Sequence, residues 1–212
     1  MSILVKICGL TNLDDVMDGV ELGVDFLGFN FYPDSPRYID PIAAKDIVSE
    51  VPQSIAKVGI FVNANIQLVI DIAVDLELDY LQFHGDETPE YCNQFGRPWW
   101  KAFRLQNEAD VALIKDYESD IFLIDSYVEK AFGGTGVVSN WDLARSAKKY
   151  GKLILSGGLN LSNVEMALES VKPFAVDVAS GVENSPGVKD RHKMEEFITK
   201  VKAFTLKPHL IT

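Results

Sequence analysis

Short apolar runs recur along the chain, each followed by a turn and then by a segment with apolar residues three or four positions apart. The runs are Leu4–Ile7, Phe26–Asn30, Lys57–Phe61, Tyr80–Phe83, Trp100–Phe103, Ile121–Ile124, Lys152–Leu155 and Ala175–Val178. Helical spacing appears between them, as at Val111, Ile114 and Tyr117 and over Asn160–Val171. Candidate helix caps fall where they should: Thr11-Asn12 before Leu13, Asn63 before Asn65, Ser162 before Asn163, and Pro41 in a first turn. Apolar strands alternating with helices predict a parallel sheet buried on both faces. Eight such units fill the chain and favour closure into a (β/α)8 TIM barrel, an α/β fold. The barrel is expected to occupy residues 1–205 as one domain, with a C-terminal tail over 206–212. The alternative is an open doubly wound sheet, but no GxGxxG turn follows the first run.

Composition narrows the partners. The 212 residues are 47% hydrophobic, enough for one sizeable core. No apolar run approaches the roughly 18–20 residues that span a bilayer, so no membrane partner is expected. The formal charge of −11 repels nucleic acid. Cys8 and Cys92 make no disulfide framework, and a cytoplasmic location fits them. No Cys/His spacing of a metal site occurs. Monomer and homodimer both suit this composition.

Two glycine turns change the picture. Ser156-Gly157-Gly158 and Ser180-Gly181 follow the last two strands. Peptide N–H groups at such turns donate to anions, and loops after strands 7 and 8 form the phosphate site of many barrels. A small phosphorylated molecule is the expected ligand.

If the barrel closes, chemistry gathers where the strands end. That rule selects Cys8, Asn30, His84, Arg104 and Asp125, with Asp177 inside the last strand. Cys8 reads as a base or nucleophile, or equally as a small buried hydrophobe. Alternation puts Lys6 below it on the same face, where its charge is expected to favour the thiolate. Asp125 ends an apolar strand, where desolvation suits a general acid; a helix cap or a solvated loop aspartate is the other reading. The following Gly133-Gly134-Thr135-Gly136 segment either closes over substrate or is a plain connection. Arg37 lies on a loop stiffened by Pro33 and Pro36, ready to fork onto a carboxylate or to stand as a solvated charge. His84 reads as a site-wall residue or a structural one, and the three tryptophans as packing. Asp177 needs a partner in its apolar strand, and Lys6 is predicted to meet it across the strand 8–strand 1 seam.

Taken together, these motifs resemble the phosphoribosylanthranilate isomerase family of tryptophan biosynthesis. The resemblance rests on Lys6-Ile7-Cys8-Gly9-Leu10-Thr11, Ser35-Pro36-Arg37-Tyr38, Gln82-Phe83-His84-Gly85, Asp125 with Gly133–Gly136, Ser156-Gly157-Gly158-Leu159 and Asp177–Glu183. Phe83 and Ala179 depart from the pattern without removing a catalytic group. The resemblance implies a cofactor-free Amadori rearrangement. Cys8 would be the base and Asp125 the acid, with Arg37, His84 and Asp177 against the substrate. Gly134, Gly136, Gly157, Gly158, Ser180 and Gly181 would hold its phosphate. Competing readings are indole-glycerol-phosphate synthase, a histidine-pathway sugar isomerase, or a barrel that binds a phosphometabolite without turnover. The synthase calls for an extended N-terminal segment and the sugar isomerase for an aspartate where Cys8 stands.

Overall fold

In the computed structural model, which describes residues 2–126 and 138–206, the apolar runs become eight parallel strands closed in chain order. They are β1 Leu4–Cys8, β2 Phe26–Asn30, β3 Ala56–Phe61, β4 Tyr80–Phe83, β5 Trp99–Arg104, β6 Ile121–Asp125, β7 Lys152–Leu155 and β8 Ala175–Val178. The seam closes by pairing Lys6 with Asp177 and Ile7 with Val178. Helices α1 Leu13–Glu21, α2 Pro41–Val48, α3 Ile66–Asp75, α4 Pro89–Cys92, α5 Glu108–Leu113, α6 Trp141–Ala147, α7 Val164–Val171 and α8 Arg191–Leu206 surround them. A small antiparallel ribbon, β9 Glu183–Ser185 and β10 Val188–Lys189, stands between β8 and α8 and was not foreseen from the sequence. The Gly133–Gly136 segment and residues 207–212 of the tail lie outside the described residues.

Local chemistry sets the boundaries. Asn12 and Asn65 cap α1 and α3 through side-chain oxygens, and Pro41 begins α2 behind the Asp40 cap. Asn63 is not the cap of α3; it takes a left-handed φ of 49° and accepts the Asp86 N–H. The run from Asn160 does not begin a helix. The Asn160 side chain accepts from the Ser162 N–H and the Asn163 side chain from the Asn160 N–H, an alternative to helical bonding that delays α7 to Val164.

Alternation along each strand decides what fills the barrel. At the N-terminal end Phe26, Tyr80 and Trp100 pack edge-on or tilted, with centroids 5.1–6.0 Å apart. Val58, Ala102, Leu123, Ile154 and Ala175 complete that plug. Outward residues such as Ile7, Leu27, Phe83 and Val176 meet the helices in a second, larger apolar layer. Toward the C-terminal end the same inward positions turn polar: Lys6 and Cys8 on β1, Asp125 on β6, Asp177 on β8.

Candidate active site

These inward polar positions open onto a cavity of about 300 Å³ at the C-terminal mouth. Cys8, Asn30, Arg37, His84, Asp125 and Asp177 are among the residues that line it. A smaller cavity of about 30 Å³ adjoins it, sharing Asp125, Ser156, Asp177 and Ala179 and walled by Gly157, Gly158 and Ser180. The mouth therefore brings the predicted thiol, carboxyl and strand 7 and 8 turns to one place. Arg104 is not among the lining residues and pairs with Asp86 at 3.1 Å.

Cys8 stands beside Lys6 in a space left by Gly28 of β2. A methyl group at Gly28 would come within 3.0 Å of Lys6 Nζ and 3.1 Å of Cys8 Sγ. Lys6 Nζ donates to Asp177 at 2.9 Å, and both groups are buried. Burial pushes Lys6 down, but Asp177 and Cys8 push it up by more, so the ammonium stays charged. The expected effect of Lys6 on Cys8 is present but outweighed. Burial pushes the Cys8 thiol up, and Lys6, although it acts in the predicted direction, does not reverse this. Asp177 adds to the upward push.

A chemical test follows. Alkylation of Cys8 by iodoacetamide should stay slow at neutral pH and reach half its maximal rate above the ordinary thiol value of about 8.5. Cys92, fully buried and pushed up to about 12 by desolvation, does not compete. A rate already at its plateau near neutral pH would contradict this account of Cys8.

Asp125 is neither a helix cap nor solvated. Its Oδ1 accepts the Ser126 N–H at 2.7 Å, and its Oδ2 lies 3.0 Å from His84 Nε2. His84 in turn meets Gln82, whose other amide atom meets the Trp100 indole. Trp100 is thus a polar partner as well as packing. Its contact with Gln82 spans 18 residues along the chain, and no local pattern announces it.

Arg37 is buried, not a solvated charge. Glu183 takes its Nε at 2.8 Å and Nη2 at 2.6 Å in a two-pronged pair. Lys189 donates to the same carboxylate at 2.7 Å and to the Cys8 carbonyl at 2.6 Å. Burial pushes Glu183 up, but Arg37 and Lys189 together hold it below the usual carboxylate range. No local pattern along the chain points to Lys189. Among the described residues, Arg37 Nη1 has no hydrogen-bond acceptor.

Gly157 and Gly158 follow each other at φ 84° and 63°, a conformation closed to most side chains. A side chain at Gly181 would strike the Leu159 carbonyl, so the two turns pack against each other. Among the described residues, the N–H groups of Gly157, Gly158, Ser180 and Gly181 have no acceptor, and the lining of the small cavity carries no cationic side chain. Anion binding there would rest on peptide dipoles.

A closed parallel barrel with such a mouth defines a class: (β/α)8 enzymes acting on small phosphorylated molecules. A family model described as N-(5'phosphoribosyl)anthranilate (PRA) isomerase matches residues 5–200, and the chain belongs to that family. It is 47% identical over 199 residues to the N-(5'-phosphoribosyl)anthranilate isomerase of Geobacter metallireducens, covering 94% of this chain and 98% of that one. The solved phosphoribosyl anthranilate isomerase of Thermotoga maritima superposes with a TM-score of 0.88 at 39% identity, covering 95% and 99% of the two chains. A phosphoribosyl anthranilate isomerase solved with reduced 1-(o-carboxyphenylamino)-1-deoxyribulose 5-phosphate gives 0.85 at 39% identity and the same coverage.

Proposed function

We propose that this chain isomerises N-(5-phosphoribosyl)anthranilate to 1-(2-carboxyphenylamino)-1-deoxyribulose 5-phosphate, a step of tryptophan biosynthesis, with Asp125 as general acid and Cys8 as general base. The observation that carries this reading is that both groups line one cavity continuous with the glycine turns. Asp125 gives a proton to the ribose ring oxygen. The C1–oxygen bond breaks and a C1 iminium forms. That cation lies in the cavity with Cys8, and a nearby positive charge favours the thiolate. Cys8 then removes the C2 proton. The resulting enolamine gains a proton at C1 and loses the one on its 2-hydroxyl, giving the ketone. Acid and base come from β6 and β1 and address different atoms of the substrate.

The remaining residues position the molecule. The N–H groups of Gly157, Gly158, Ser180 and Gly181 hold the phosphate, far from the reacting carbons, and so fix those carbons against Cys8 and Asp125. Gly134 and Gly136, outside the described residues, are assigned to the same phosphate. Arg37, held by Glu183, turns Nη1 to the anthranilate carboxylate. Asp177, its oxygens engaged by Lys6 and Ser156, forms the cavity floor.

Freshly prepared phosphoribosylanthranilate incubated with the protein should lose its anthranilate-type fluorescence with saturable kinetics. An unchanged signal would remove the reading. Gly157→Ala should lower kcat/KM by roughly 10²-fold, the scale of a misplacement of about 1 Å. Its new methyl would lie 2.5 Å from Ser126 N and 3.0 Å from Asp125 Oδ1. An unaffected kcat/KM would show that the phosphate turn does not set the geometry.

A further inference from the structure

The hydrogen bonds behind Asp125 run in one direction. Trp100 Nε1 meets Gln82 Oε1 at 3.1 Å, Gln82 Nε2 meets His84 Nδ1 at 2.8 Å, and His84 Nε2 meets Asp125 Oδ2 at 3.0 Å. Trp100 and Gln82 are fully buried in the barrel, so water does not substitute for these partners. An indole N–H can only donate. The amide oxygen of Gln82 must therefore face Trp100, and its NH₂ must face His84. An NH₂ donor requires that Nδ1 of His84 be an unprotonated acceptor. The imidazole proton is then on Nε2, directed at Asp125.

We propose that Trp100 and Gln82 are positioning residues that lock His84 in its Nε2–H tautomer, so that His84 stabilises the carboxylate Asp125 becomes when it gives up its proton. The proposal rests on the reading of Asp125 as general acid. With its proton on Nε2, the imidazole has no lone pair there to share the proton of Asp125, which stays available to the substrate. As negative charge develops on Oδ2, the His84 bond changes from a neutral to a charge-assisted one and strengthens. Donors already aimed at developing charge need no rearrangement during the reaction. The Ser126 N–H does the same for Oδ1.

Two variants and one spectrum test this. In protein labelled with ¹⁵N-histidine, His84 should show an unprotonated Nδ1 and a protonated Nε2; only three histidines need assignment. Gln82→Glu keeps an acceptor for Trp100 but presents a second carboxylate oxygen to His84, so Nδ1 should become protonated. His84 then either loses its donor toward Asp125 or, doubly protonated, holds Asp125 ionised. The expected result is a fall in kcat of roughly 10²-fold with KM nearly unchanged. Trp100→Phe removes the anchoring N–H together with part of a ring packed in the barrel plug. It should lower kcat about tenfold, the worth of one hydrogen bond, with the Nε2–H tautomer partly lost. An unchanged kcat and tautomer would overturn the anchoring role. A protonated Nδ1 in the unaltered protein overturns the proposal, whatever the activity. So does a Gln82→Glu variant with protonated Nδ1 and unchanged kcat. Should Gln82→Glu fail to fold, the unaltered protein's spectrum and Trp100→Phe still decide. A missing turnover in the unaltered protein ends the acid assignment and with it the catalytic role, while the tautomer is still read separately.

Discussion

Asp125→Asn and Cys8→Ala should each lower turnover of phosphoribosylanthranilate by at least roughly 10²-fold, the usual scale for a lost general acid or base. Asn has nearly the shape of Asp, but its single side-chain oxygen can accept only one of the two N–H groups, from Ser126 or from His84, so the variant loses the transferable proton together with one of these hydrogen bonds. Cys8→Ala removes the half-buried thiol that lines the cavity and is assigned as base. The losses should fall mainly on kcat, because neither substitution touches Arg37 or the glycine turns, the groups proposed to bind the two ends of the substrate. The two losses should also fail to add. Without ring opening there is no iminium to make C2 acidic, so the double variant should be little worse than the poorer single one. Near-normal turnover in both single variants would remove the mechanism even if the activity itself were real.

The second large effect concerns stability. Lys6→Met leaves Asp177 buried at the β8–β1 seam without its cation and should cost about 3–5 kcal/mol. Both side chains are at most 5% exposed, so water cannot take the place of the lost ammonium. Among the described residues, only Ser156, at 3.2 Å, continues to donate to the carboxylate. Adding Asp177→Leu to Lys6→Met should recover much of the loss, because an apolar pair of similar volume needs no partner. Urea unfolding of the two single variants and the double variant gives the coupling directly. Additive losses would show that the pair does not hold the seam together.

The barrel was legible because its strands are apolar on both faces and its helices are periodic, and each pattern is local. The Lys6–Asp177 pair was legible too, since strand 8 must neighbour strand 1 once eight strands close. Cys8 and Asp125 followed from their places at strand ends. What stayed hidden depends on contacts between distant parts of the chain. Glu183 grips Arg37 across 146 residues and Lys189 reaches Cys8 across 181, through a ribbon of only five strand residues. The net upward push on Cys8 is hidden for a related reason. Sequence spacing placed a lysine below the thiol but not the depth of burial, which outweighs it. At Asn160 and Asn163, side chains that bond their own backbone took the first turn assigned to α7.

The arrangement of acid, base and phosphate is tested most directly by crystals of this protein grown with reduced 1-(o-carboxyphenylamino)-1-deoxyribulose 5-phosphate. The account predicts the phosphate on the N–H groups of Gly157, Gly158, Ser180 and Gly181, Sγ of Cys8 beside C2, and the Asp125 carboxyl near the oxygen on C4. A ligand whose C2 and C4 oxygen lie out of reach of those two side chains, or whose phosphate sits elsewhere, would contradict it.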